Sequence, residues 1–165
     1  MSLIAAIQIS LDNITWYKLS EHNRSPISTS YETIEKAERM SNGTMRKYVI
    51  ANKRKISTDW KDLPSLNSNL VDYTLTNAVY GAAWLKSFYE GNIFNPVYIK
   101  LFYANATIAL NGAIITYTDS FTTTGETLKV FITTFTHDVT KRRVGSVGNA
   151  SGYDYANVKI EFTEI

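Results

Sequence analysis

The chain of 165 residues reads as one mainly-β domain (1-165), a β-sandwich or barrel with one flanking α-helix and a long β-hairpin. Three observations predict this. Apolar and polar residues alternate with the period of two that puts successive strand side chains on opposite faces, and such runs recur from Ile4 to Ile165. Asn42-Gly43 stands between two of these runs, and Gly accepts positive φ while Asn tolerates it, as a tight hairpin turn requires. Only Asn77 to Glu90 has a helical stripe, with Tyr80, Trp84, Leu85 and Phe88 at i, i+4, i+5 and i+8. A lone helix among strands packs across one face or one open end of a sheet.

Taken in order, Ile4 to Ile9 and Ile14 to Leu19 are two short strands joined at Leu11-Asp12-Asn13. Ser20 to Ser30, polar and carrying Pro26, reads as a loop or extended arm. Tyr31 to Met40 mixes helix formers with strand neighbours and is read as a strand. Beyond the turn, Met45, Lys47 and Val49 alternate with Arg46, Tyr48 and Ile50. A break at Ala51-Asn52 leads to a second run in which Ile56, Thr58 and Trp60 share one side, and Pro64 ends it.

Leu66 to Thr76 is a polar connection. Thr76 or Asn77 is placed to cap the helix, and Gly91 to end it in the left-handed conformation. Strands follow at Pro96 to Tyr103, Ala109 to Thr118, Glu126 to Thr136 and Tyr155 to Ile165. Thr140 to Gly152 is the most loop-like stretch.

Composition narrows the function. With no cysteine, disulfides, thiol catalysis and Cys-ligated zinc are excluded. The sequence shows neither a signal-peptide pattern nor an apolar run long enough to span a membrane. A net charge of +2 is too weak for a dedicated nucleic-acid binder. Eleven Tyr suit half-buried sheets and interfaces, and equally an ordinary Tyr-rich core. His22 and His137 lie far apart and outside any metal-binding spacing, and no nucleophile or phosphate-loop motif is present. The expectation is a protein that is not an enzyme and uses no cofactor or metal.

The basic residues cluster: Arg46, Lys47, Lys53, Arg54 and Lys55 in the hairpin, and Lys141, Arg142 and Arg143 near the late loop. Lys and Arg on an edge strand block unwanted pairing. Alternatively they meet an acidic patch on a neighbouring subunit. In the second reading all eight make intersubunit contacts, while Tyr48, Ile50, Ile56 and Trp60 bury the hairpin against the sheet or a neighbour. Replacing Lys53, Arg54 and Lys55 with Glu is then expected to impair assembly and leave the subunit folded.

The stretch RMSNGTMRKYVIANKRKISTDWKDLP, the helix GAAWLKSFYEG, then PVYIKLFY and LKVFITTFTHDVTKRR…VKIEFTEI together resemble tail structural proteins of tailed bacteriophages. The likeness is to the tail-tube type, whose relatives include distal-tail and baseplate-hub components. That resemblance implies a virion protein made in the host bacterial cytoplasm. It further implies homo-oligomeric rings, hexameric in this family, stacked into a tube through which DNA passes without specific recognition. Other tail proteins would be its further partners. Tube lumens of this type are acidic, whereas this chain is slightly basic. This places its basic clusters at ring–ring contacts, or makes the chain a terminal distal-tail, baseplate or tail-completion component. A carbohydrate-binding β-sandwich, with aromatics on one exposed face, is the alternative from a different class.

Overall fold

The computed structural model describes residues 6–21, 23–65, 80–102, 104–111, 114–121, 125–143 and 153–165. Their strands are β1 (Ile7–Ser10), β2 (Tyr17–Lys18), β3 (Ser28–Arg39), β4 (Met45–Pro64), β5 (Val97–Leu101), β6 (Ala104–Asn111), β7 (Ile114–Phe121), β8 (Glu126–Arg143) and β9 (Tyr153–Glu164), with helix α1 (Ala82–Gly91) between β4 and β5. Seven strands form one antiparallel sheet in the order β2-β1-β5-β8-β9-β4-β3, and β6-β7 pair separately. Among the described residues the mainly-β class with one helix holds. Among the described residues, however, the helix takes the place of a second sheet as the covering layer.

The period-two pattern explains which face the helix covers. Val97, Ile99 and Leu101 of β5, Leu128, Val130 and Ile132 of β8, and Val158, Ile160 and Phe162 of β9 all point to one side and are buried. Ile56, Trp60 and Leu63 of β4 join them, and α1 adds Ala82, Leu85 and Phe88. Each side chain of this size contributes roughly 1.5–3 kcal/mol by leaving water, so this one layer dominates stability.

Several boundaries differ from the sequence reading. The two runs expected at Met45–Ile50 and Lys55–Trp60 are one strand of 20 residues, because Ala51-Asn52 stays in the ladder opposite Ile34 and Thr33. Ala109 to Thr118 is not one strand: Asn111 pairs with Ile114, so the chain reverses at the second Asn-Gly of the sequence, Asn111-Gly112. The helix starts at Ala82 with Gly81 as its N-cap, and Tyr80 bridges Leu19 instead of continuing the helical stripe. Its end is held by Asn92, which donates its backbone N–H to the Tyr89 carbonyl (3.0 Å) and its side-chain amide to the Phe88 carbonyl (2.8 Å). Gly91 is therefore not a left-handed cap; among the described glycines it is Gly43, at φ 81°, that uses that freedom. The expected connection at 66–76 lies outside the described residues.

Ser20 to Ser30 is fastened along β4 rather than free. Ser25 donates its N–H to the Asp59 carbonyl (2.7 Å) and its hydroxyl to the Asp59 carboxylate (2.6 Å). Lys61 donates to the Asn23 carbonyl at 3.1 Å, and the Trp60 indole donates to the Ser20 carbonyl at 2.7 Å. The physical reason is the buried indole N–H, which needs an acceptor. From Ser28 the same segment becomes β3. Of the expected loop at 140–152, residues up to Arg143 extend β8, and 144–152 lie outside the described residues.

Candidate assembly surface

β3 and β4 together make a hairpin longer than the sheet that supports it. β9 accompanies β4 only as far as Lys55, opposite Thr163. Beyond that row the two strands run on through Arg39↔Met45 as a lone ladder. At about 3.3 Å per residue, the part of β4 from Met45 to Asn52 projects roughly 26 Å. All twelve residues of β3 and the first six of β4 are exposed. The exposed set includes Ile34, Met45, Tyr48, Val49 and Ile50, the last at 73%. A bulge places Ile50 opposite no partner, between the pairs Ile34↔Ala51 and Glu35↔Val49. A lone two-stranded ribbon is marginally stable in water, and both of its faces here carry apolar side chains.

The base of this arm is fixed by charge. Arg54 donates through Nε and Nη2 to the two Glu164 oxygens (3.0 and 3.1 Å) and through Nη1 to Glu126, while its backbone N–H also reaches Glu164 (3.1 Å). The paired charges hold the Arg54 guanidinium above its ordinary pKa and the Glu164 carboxyl below its own, Glu164 being shifted chiefly by the Arg54 side-chain hydrogen bond. Lys53 adds a bond from Nζ to the Ile165 carbonyl at 2.5 Å. The start of β8 and the end of β9 thus converge on the middle of β4, where the arm departs.

The residues predicted at the interface separate into groups. Tyr48 and Ile50 stand exposed on the arm. Arg46 lies opposite Glu38 near the tip, Lys47 pairs with Glu35 (2.5 Å), and Lys55 pairs with Glu32 (2.8 Å), a contact that raises the Lys55 pKa. Arg142 pairs with Asp154 at 2.8 Å, and Lys141 lies 3.7 Å from Asp62 and over the Tyr155 ring. Arg143 pairs with Tyr153 through the backbone. Ile56 and Trp60 are 0% and 1% exposed, so both bury the base of the hairpin in the chain's own sheet and neither faces a neighbour. Period two puts Ile56 and Trp60 on one face of β4, and the bulge between Trp60 and Leu63 brings Leu63 onto the same buried side.

The basic clusters are therefore interleaved with carboxylates of the same chain, and the surface they form is mixed in sign. Ile34, Met45 and Val49 escaped the sequence reading. Their signal was present, since apolar residues alternate with one another across both sides of the run from Met45 to Ile50, and a sheet with a single buried face cannot hide both. A shallow hollow on the outer face, lined by Ser30, Lys55, Ser57, Thr133, Glu161 and Thr163, is walled mainly by hydroxyls. Among the described residues, no group of three or more His, Asp or Glu is placed to hold a metal ion. No protein-family model and no curated protein matches the sequence.

Proposed function

We propose that this chain is a non-enzymatic structural protein of a phage tail, assembling with copies of itself into rings, hexameric as the resemblance implies, that stack into a tube for DNA passage. The observation that carries the reading is the arm, a two-stranded ribbon with exposed apolar residues on both faces, held rigidly at its base by Arg54, Glu164 and Glu126. Exposed apolar side chains on a ribbon that cannot bury them itself are matched to a protein partner. The long edges support the same reading. β3 ends the sheet, and β8 is paired with β5 only up to Val130, so each offers main-chain groups for strand addition by another copy. Contacts between different surfaces of identical subunits close into rings or propagate into filaments.

Light scattering on the purified protein, followed by negative-stain imaging, tests the reading directly. Rings or tubes are the expected result. Single rings that never stack would favour the distal-tail or baseplate role, and a protein that is monomeric at every concentration would overturn self-assembly.

A further inference from the structure

The sheet face turned away from α1 carries two hollows in line along β9. The first, of about 380 Å³, lies among Ser30, Ser57, Thr133, Glu161 and Thr163. The second, of about 200 Å³, lies among Asp59, Lys61, Thr136, Asn157 and Lys159. Asn157, Lys159, Glu161 and Thr163 alternate with the buried Ala156, Val158, Ile160 and Phe162, so one strand runs beneath both. At about 3.3 Å per residue, the steps from Asn157 to Thr163 make a track roughly 20 Å long. Its side chains are already held in place. Lys159 pairs with Glu161 and Lys55 with Glu32, each at 2.8 Å, and the Ser25 hydroxyl donates to Asp59 at 2.6 Å. A bulge in β8 between Ile132 and Thr134 inserts Thr133, and both threonines line the first hollow. The Thr163 hydroxyl donates to that of Thr133 at 3.3 Å.

We infer that this track binds an extended, uncharged oligosaccharide. Hydroxyls of consecutive sugars exchange hydrogen bonds with Ser57, Thr133, Thr134, Glu161 and Thr163, and one sugar ring lies on Phe131. The lining selects this chemistry. Lys55, Lys61 and Lys159 stand against Glu32, Asp59 and Glu161, so the signs balance and a polyanion gains no net attraction. Serine and threonine hydroxyls both donate and accept, as sugar hydroxyls do. Phe131, paired across the ladder with Thr163 and 40% exposed, supplies an apolar ring at one end of the track. A protein segment would find few apolar anchors along the rest of it. The site belongs to the single subunit and does not depend on the self-assembly proposed above.

An array of neutral, sialylated and sulfated oligosaccharides, probed with the full chain, tests this. Retention on neutral members, little changed by added salt, is expected. Binding to none of them, or only to the charged members with a loss in salt, would overturn the site. Amide shift mapping with a retained neutral oligosaccharide is expected to move 57, 131–134 and 157–163; saturable shifts confined to other residues would overturn it too. Thr133→Val with Thr163→Val removes two hydroxyls at nearly constant shape. It is expected to keep the melting temperature and weaken binding at least about tenfold. Phe131→Leu, which keeps an apolar side chain and loses the ring, reads the same face should the double variant fail to fold. Unchanged affinity in a folded variant of either kind would overturn the assignment.

Discussion

The two halves of β4 are one continuous strand and have opposite fates. From Ile56 to Leu63 the alternation has one apolar face, and the sheet and helix bury it. From Met45 to Ile50 apolar residues fall on both faces, no third strand accompanies the chain, and every residue is exposed. The difference teaches that alternation alone does not bury a strand; burial needs neighbours on its ladder and a layer above it. One half builds the core, and the other is left exposed.

Breaking the buried half should have the largest effect. Trp60→Ala or Phe162→Ala is expected to cost about 3–5 kcal/mol, read as a collapse of the thermal melting temperature. A loss below about 1 kcal/mol would mean that this layer is not the core. The loss at Trp60 also removes the indole donor from the Ser20 carbonyl, so protection of 23–25 against hydrogen exchange should fall with it.

The junction between the halves comes next. Arg54→Met removes the guanidinium that Glu164 and Glu126 share, and is expected to cost about 1–3 kcal/mol and raise amide exchange over 33–52 more than elsewhere. Uniform exchange across the whole chain would show that Arg54 does not fix the arm. The triple reversal of Lys53, Arg54 and Lys55 to Glu is consequently a blunt probe of contact, because the new carboxylate at position 54 would also face Glu164 and Glu126 of its own chain.

Acid should act at the same junction. Glu164 has its folded pKa depressed below its ordinary 4.5, so its contribution is fully present above about that value and is lost as pH falls through the folded pKa. Protection of the arm amides, relative to their intrinsic exchange rate, should therefore fall below about pH 4.5, and in Glu164→Gln this fall should shrink. A wild-type profile identical to that of the variant would remove Glu164 from the account.

The smallest effect on the monomer belongs to the exposed half. Tyr48→Ser or Ile50→Ser is expected to change subunit stability by no more than about 0.5 kcal/mol, while assembly by light scattering weakens. A large loss of melting temperature would mean that the arm folds back on its own sheet.

Strand β9 and the buried faces of β5 and β8 were legible because one apolar face per strand has a single solution. The Asn42-Gly43 turn was legible because few dipeptides accept its dihedral angles. The β6–β7 reversal was legible too and was passed over, since Asn111-Gly112 lies between apolar residues that mimic a continuous run. The sites were harder. Ile56 and Trp60 belong to the core by the same period that made them look like a hairpin face.

Local chemistry along the chain, by itself, determined the β class, the lone helix, the hairpin and the absence of cysteine chemistry, because strand period, turn dihedrals and residue inventory are all short-range. Pairing decided the rest. Which strands share a ladder, where β9 stops beside β4, and the meeting of Arg54 with Glu164 and Glu126 across 110 and 72 positions are long-range facts. Burial depends on what lies across the sheet rather than next along the chain, so only the folded structure could separate the half of β4 that makes the core from the half that is left exposed.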